Sequence, residues 1–310
     1  MQLSMFEPKR SAIWERAAAV GRQVPANVRF GTSSWSFPGW TGIVWSSRRT
    51  EAQLAHDGLV EYSAQPLFRT VGLDRSYYAP VPEADLRRYA TQLPPGFRVC
   101  AKVPASVASR VGPDGRPNLD FLSPQRLWDD HLGRLREHLG PWLGPVLLEI
   151  PKAPPGWDTS RDLARLERCL AGATGVAVEL RDRPLLTHDY ATMLRAVGAT
   201  HVYSYWSDMP YPAEQAAHVP PTGDIVIRLL LPPGTTYAER KARLAPFDAV
   251  RAPDERLRNE VIDLIGAATR RERQTYVLVN NKAEGSSPLT CLALAERLVG
   301  GPATAQIYNS

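Results

Sequence analysis

Cysteine is scarce in this 310-residue chain: Cys100, Cys169 and Cys291 are the only three. They are far apart, odd in number and without metal-ligand spacing. That argues against a disulfide framework or a zinc site, and for reduced, mostly buried thiols in a reducing compartment. Histidine is also sparse. His56, His131, His138, His188, His201 and His218 contain no His-x-x-x-His pair, and no metal is assigned. No run approaches the roughly 20 apolar residues of a membrane span. Glu7, Lys9, Arg10, Glu15 and Arg16 interrupt any apolar secretion signal. A cytoplasmic protein without membrane contact is expected. P-loop, Gly-x-Ser-x-Gly elbow, Cys-x-x-Cys and Gly-x-Gly-x-x-Gly turn are all missing, so no cofactor is named.

What is present is an alternation. Eight short runs rich in β-branched and aromatic residues occupy 28–33, 68–74, 97–103, 146–150, 175–181, 201–206, 224–230 and 275–280. Most are nearly continuous in hydrophobicity, as parallel strands covered by helices are. Helical patterns lie between them at 51–63, 83–91, 124–139, 160–170, 187–197, 253–271 and 288–298, with a short turn at 213–218. Ser160 is read as a helix-capping serine and Gly198 as a C-terminal cap. Strand–helix alternation with eight strands predicts a (β/α)8 TIM-type barrel. The rival is an open doubly wound sheet. Residues 1–27 are read as an added N-terminal helical extension at the barrel's bottom, 28–300 as the barrel and 301–310 as a tail. The net charge of +5 attracts anions but is too small to diagnose nucleic-acid binding.

The stretch "GTSSWSFPGW" at 31–40 follows the first run and is unusually aromatic for a turn. It is followed in order by "RTVGLDRSYYAP" (69–80), "FRVCAKVP" (97–104), "LGPVLLEIP" (143–151), "AVELRDR" (177–183) and "TYVLVNNKAEGSSP" (275–288). With these segments the chain resembles the DUF72, or YecE-like, family over most of 28–299. The resemblance implies a TIM-type barrel and no established activity. Against the family pattern, the second strand reads Gly72-Leu73-Asp74 in place of Glu-x-Asn, "PASVASRV" lacks a histidine, and "ELRDRPLL" lacks a tryptophan. A shared family chemistry is therefore expected to be altered or lost.

Active sites of such barrels lie at the C-terminal ends of the strands. Side chains alternate along a strand, so Asp74, Lys102, Glu149, Glu179 with Arg181, and Arg228 are placed on the inner face there. Trp35, Trp40 and Ser33 of the opening motif, Tyr77 after the second strand, and Asn280 and Asn281 after the eighth are expected to line the same mouth. In the functional reading Arg181, Arg228 and Lys102 hold a small anionic or phosphate-bearing ligand. Glu179, then Glu149 and Asp74, supply acid/base chemistry of hydrolase or lyase type. In the structural reading the same charges form a buried ion-pair network, and the aromatics plug the mouth. A metal held by Asp74, Glu149 and Glu179 alone would be Mg²⁺ or Mn²⁺ in kind. Two long connections, 104–123 and 231–252, are read as lids, the second carrying Arg240, Lys241 and Arg243. The alternatives to a ligand-binding enzyme are a non-catalytic nucleic-acid-binding protein and a degenerate interaction scaffold. The oligomeric state is left open.

Overall fold

The computed structural model describes residues 11–300. The eight expected strands are all present: β1 (Val28–Thr32), β2 (Thr70–Leu73), β3 (Arg98–Ala101), β4 (Val146–Ile150), β5 (Val176–Leu180), β6 (Thr200–Tyr205), β7 (Ile225–Leu229) and β8 (Thr275–Val279). The helices before β5 are α1 (Ala12–Gly21), α2 (Glu51–Ala64), α3 (Glu83–Gln92), α4 (Ala105–Ala108), α5 (Pro124–Leu127), α6 (Arg134–Leu139) and α7 (Asp162–Leu170). After it come α8 (His188–Val197), α9 (Pro212–His218), α10 (Tyr237–Leu244), α11 (Glu255–Thr269), α12 (Asn281–Glu284) and α13 (Ser287–Gly300).

Strands run parallel and pair with their sequence neighbours. A six-stranded ladder has the order β1-β8-β7-β6-β5-β4, and β2 pairs with β3. The two ladders meet at seams made of single bridges. Phe30 pairs with Phe68, Val99 with Leu143 and Lys102 with Leu147. Backbone hydrogen bonds reinforce them: Arg69 to Phe30 at 3.0 Å, Gly144 to Val99 at 2.9 Å and Val103 to Leu147 at 2.9 Å. The pairing of β8 with β1 is the neighbour relation of a cyclic order, not of an open doubly wound sheet. The β1–β2 seam is tight. A Cβ at Gly31 would lie 1.9 Å from the Thr70 carbonyl oxygen, and one at Gly72 2.7 Å from that of Ser33. Neither position tolerates a side chain.

Local chemistry sets the helix ends. Thr50 with Gln53 and Thr236 with Glu239 form capping boxes on α2 and α10. Gly198 closes α8 at φ +70, as read from the sequence. Ser160 is not the cap expected of it: α7 begins at Asp162 after Arg161, without a side-chain cap. The 124–139 helix is continuous but passes through a π-type turn at Trp128–Gly133.

Two apolar layers follow from strand alternation. The larger lies between strands and helices. The smaller, with Cys100, Leu147, Ala177, Val202, Val226, Tyr276 and Leu278, fills the interior. Helix α1 packs along α13, with Arg16 on Glu296 at 2.7 Å, so it belongs to the outer helix layer. The remainder of the expected extension, 1–10, and the tail 301–310 lie outside the described residues. No helix among the described residues is long and apolar enough to cross a membrane.

Candidate functional site

The interior layer changes character at the C-terminal ends of the strands. One step above Cys100, Leu147, Ala177 and Val226, the same alternation brings Lys102, Glu149, Glu179 and Arg228 inward. Asp74 joins them from the turn after β2, and Arg181 from one step beyond Glu179. Lys102 Nζ lies 2.5 Å from Glu149 Oε2, and Arg181 Nη2 lies 2.6 Å from the same oxygen. Arg181 Nε donates to Glu179 Oε1 at 3.0 Å. Arg228 Nη1 pairs with Glu179 Oε2, while its Nη2 donates to both oxygens of Asp74 at 2.8 Å. The six groups the sequence placed on one face are thus one connected network.

Three carboxylates face three cations, so the network is balanced. Its depth is graded. The Glu179 and Arg228 side chains are wholly buried, whereas Asp74 keeps 28% of its side-chain surface and Arg181 16%. Burial opposes ionisation of Glu179, but the Arg228, Arg181 and Lys102 charges outweigh it and hold the carboxyl down to about 2. Burial likewise opposes the charge on Arg228, and Asp74, Glu179 and Glu149 overcome it, raising its pKa. Two aromatic rings cover the cations. Lys102 Nζ sits 4.1 Å from the Tyr77 ring centre, and the Arg181 guanidinium 3.8 Å from that of Trp206. Burial, then Glu149, pushes the Tyr77 hydroxyl up to about 12. The carboxylates face cations rather than one another, a disposition unsuited to a shared metal ion.

The opening motif is held in place by hydrogen bonds and ring contacts of its own. Trp35 is buried, donates to the Leu54 carbonyl at 3.0 Å and meets the Tyr89 ring edge-on. Trp40 is buried, stacks on Trp45 and donates to Asn281 Oδ1 at 3.2 Å. That oxygen also accepts from the Ser287 amide and hydroxyl, at 2.9 and 2.8 Å. Asn280 caps α12 through Lys282. Trp40 and Asn281 therefore tie the β1 and β8 loops together, because buried indole and amide groups need partners. Ser33 is buried with no partner for its hydroxyl. The motif still meets the strand-end chemistry. Ser34, Trp35 and Ser36 line a cavity of about 270 Å³ with Asp74, Arg75 and Tyr89.

Neither long connection is a loose lid. Arg110, buried, holds the 104–123 loop down. Its Nε donates to Asp162 at 2.7 Å, its Nη2 lies 2.9 Å from Asp182, and Nη1 reaches the Pro151 carbonyl. Sequence pattern held no sign of this cluster, since Arg110 and Asp182 lie in separate loops, Asp162 opens α7, and the three share no periodicity. In the second connection Arg240 is buried against the Lys282 and Ala283 carbonyls, whereas Lys241 and Arg243 are exposed. Cys100 lies in the interior beside Thr70, and burial pushes its thiol up to about 12, as befits a structural thiol. His201 packs outside the barrel between Tyr190 and Gln215, each at 3.1 Å, and burial lowers it to about 4.

A family model described as a protein of unknown function, DUF72, matches residues 29–307. The crystal structure of a DUF72 family protein from Thermotoga maritima MSB8 is similar at a TM-score of 0.64 and 22% identity, covering 87% of this chain and 98% of that one. One from Enterococcus faecalis V583 gives 0.61 and 14%, covering 88% and 96%. At such identities the likeness establishes the fold. No curated protein matches the chain.

Proposed function

The chain belongs to the DUF72 family, whose description names no activity, and from its own site we propose that it binds a small anionic or phosphate-bearing ligand at the C-terminal end of the strands. One observation carries this reading: charged side chains from around β2, β3, β4, β5 and β7 converge on one end of the interior. A barrel needs no ions there for packing, and burying them is costly unless they are paired. Arg181 is the most exposed of the three cations and is pre-oriented by Trp206, so it is the group assigned to the ligand's anion, with Lys102 beside it. Arg228 lies behind them and positions Asp74 and Glu179. Glu179, held ionised to about 2, is a weak base. The acid/base role therefore passes to Asp74, the most exposed of the three carboxylates. The cavity lined by Ser34, Trp35 and Ser36 would take the uncharged part of the ligand.

A balanced network has no spare positive charge. An anion on Arg181 competes with Glu149 and Glu179, so binding is expected to be accompanied by proton uptake and to strengthen as pH falls. Thermal melting with phosphates, sugar phosphates and nucleotides tests the reading. A ligand at 100 times its Kd stabilises the native state by about 2.7 kcal/mol, on the order of 5 °C for a chain of this size. Arg181→Gln should abolish the shift. The second reading, an interaction scaffold without ligand, is favoured by the full pairing of all six charges. It predicts no shift with any of these compounds.

A further inference from the structure

The opposite end of the barrel carries a different kind of charge. Arg22 follows α1, Arg29 and Arg98 stand at the starts of β1 and β3, Arg69 immediately precedes β2, and Arg271 and Arg273 occupy the turn before β8. They are stitched into one arc. Asn27 donates to the Arg273 carbonyl at 2.7 Å, Arg29 to the Gly96 carbonyl at 2.8 Å, and the Arg98 amide to the Arg69 carbonyl at 3.1 Å. Among the described residues none of the six makes an ion pair with a carboxylate. At the other end Lys102, Arg110, Arg181 and Arg228 are all so paired.

Arg69 illustrates the contrast. Its guanidinium donates to the carbonyls of Gly21 and Pro25, both at 2.9 Å, which fixes its position without neutralising it. Burial, then the neighbouring Arg29, lowers its pKa. Arg270 also lies in the turn before β8, and the acidic residues in these turns are Asp224 and Glu272, so seven cations against two carboxylates leave a local excess of five. Arg22, Arg29 and Arg69 line a concavity of about 600 Å³.

We propose that this arginine arc at the N-terminal end of the strands binds the phosphodiester backbone of a nucleic-acid duplex. Guanidinium groups suit phosphate oxygens, and a backbone with regularly spaced charges matches an arc better than a single small anion does. Binding to single strands relies on exposed aromatic platforms. Among the described residues the exposed large apolar side chains are Val60, Tyr78, Leu119 and Tyr237, and none belongs to these turns. The same lack of exposed apolar groups argues against a membrane surface. This inference is independent of the ligand proposed for the other end.

The test is fluorescence anisotropy with a labelled 20-base-pair DNA duplex of mixed sequence. The variant is Arg22→Ala/Arg271→Ala/Arg273→Ala, three exposed residues. The control is Arg48→Ala/Arg161→Ala/Lys241→Ala, which removes the same charge from exposed residues at the opposite end. The expected result is micromolar or tighter binding in 50 mM salt. The first variant should weaken it at least tenfold and make the log–log salt slope shallower by about 0.9 for each phosphate it no longer neutralises. The control should change it less than threefold. No duplex binding, equal weakening in both variants, tighter binding to the single strand, or equal affinity for phosphatidylserine vesicles would each overturn the proposal.

Discussion

Replacing Arg228 with Met tests whether the strand-end network is one cooperative unit. The guanidinium is fully buried and holds Glu179 and both oxygens of Asp74. Met fills similar volume without charge. Asp74, partly exposed, can recover water. Glu179 cannot, and is left with Arg181 Nε at 3.0 Å. Stranding one partner of a buried pair costs about 3–5 kcal/mol, because the remaining charge stays desolvated. Adding Glu179→Gln removes that charge and leaves an amide oxygen for Arg181. The double variant should therefore be more stable than Arg228→Met alone, with a coupling of about 1.5 kcal/mol or more. Urea unfolding at pH 7, with a common m-value across the four proteins, reads this directly. A cost below about 1 kcal/mol for Arg228→Met, or strict additivity in the cycle, would refute the argument.

Other outcomes follow from the same geometry. Glu179 has an ordinary value of 4.5 and is held at about 2 in the fold. A depressed carboxyl stabilises the fold fully above its unfolded value and loses that contribution as pH falls through 4.5 toward 2. Denaturation between pH 5 and 3.5 should show a shallower loss of stability in Glu179→Gln than in the wild type, and parallel curves would count against the assignment. Arg110→Met strands Asp162 and Asp182, so the 104–123 loop should become the first site of limited proteolysis. An unchanged cleavage pattern would mean the loop is held by something else. All three thiols are buried, so native protein at pH 8 should resist a thiol reagent that titrates three groups after denaturation. A fast-reacting thiol would contradict that packing.

The strands were legible because a buried parallel strand is a continuous apolar run, and each of the eight runs overlaps an observed strand. Their polar ends were legible for the same reason. A period of two places Lys102, Glu149, Glu179 and Arg228 on the interior without knowledge of their partners. What a one-dimensional pattern lacks is the identity of the partner. Trp40 reads as a pocket wall because aromatics are scarce in turns, yet its indole meets Asn281, 241 residues away. Arg110 reads as one charge in a polar loop, and only the fold brings Asp162 and Asp182 to it. Likewise the six arginines of the N-terminal arc are scattered along the chain, Arg22, Arg69, Arg271 and Arg273 in turns and Arg29 and Arg98 at the starts of β1 and β3. Each is unremarkable until the cyclic order of the strands gathers them.

The central claim is that the mouth built around Arg181 takes an anion. The most direct measurement is a crystal structure after soaking with tungstate, whose anomalous scattering marks a phosphate-like anion independently of the fitted side chains. A tungstate peak is expected within hydrogen-bond distance of Arg181 at the C-terminal end of the strands, absent from Arg181→Gln. A well-occupied peak among the arginines of the opposite end, with the Arg181 mouth empty, would contradict it and leave the six-charge network as structure.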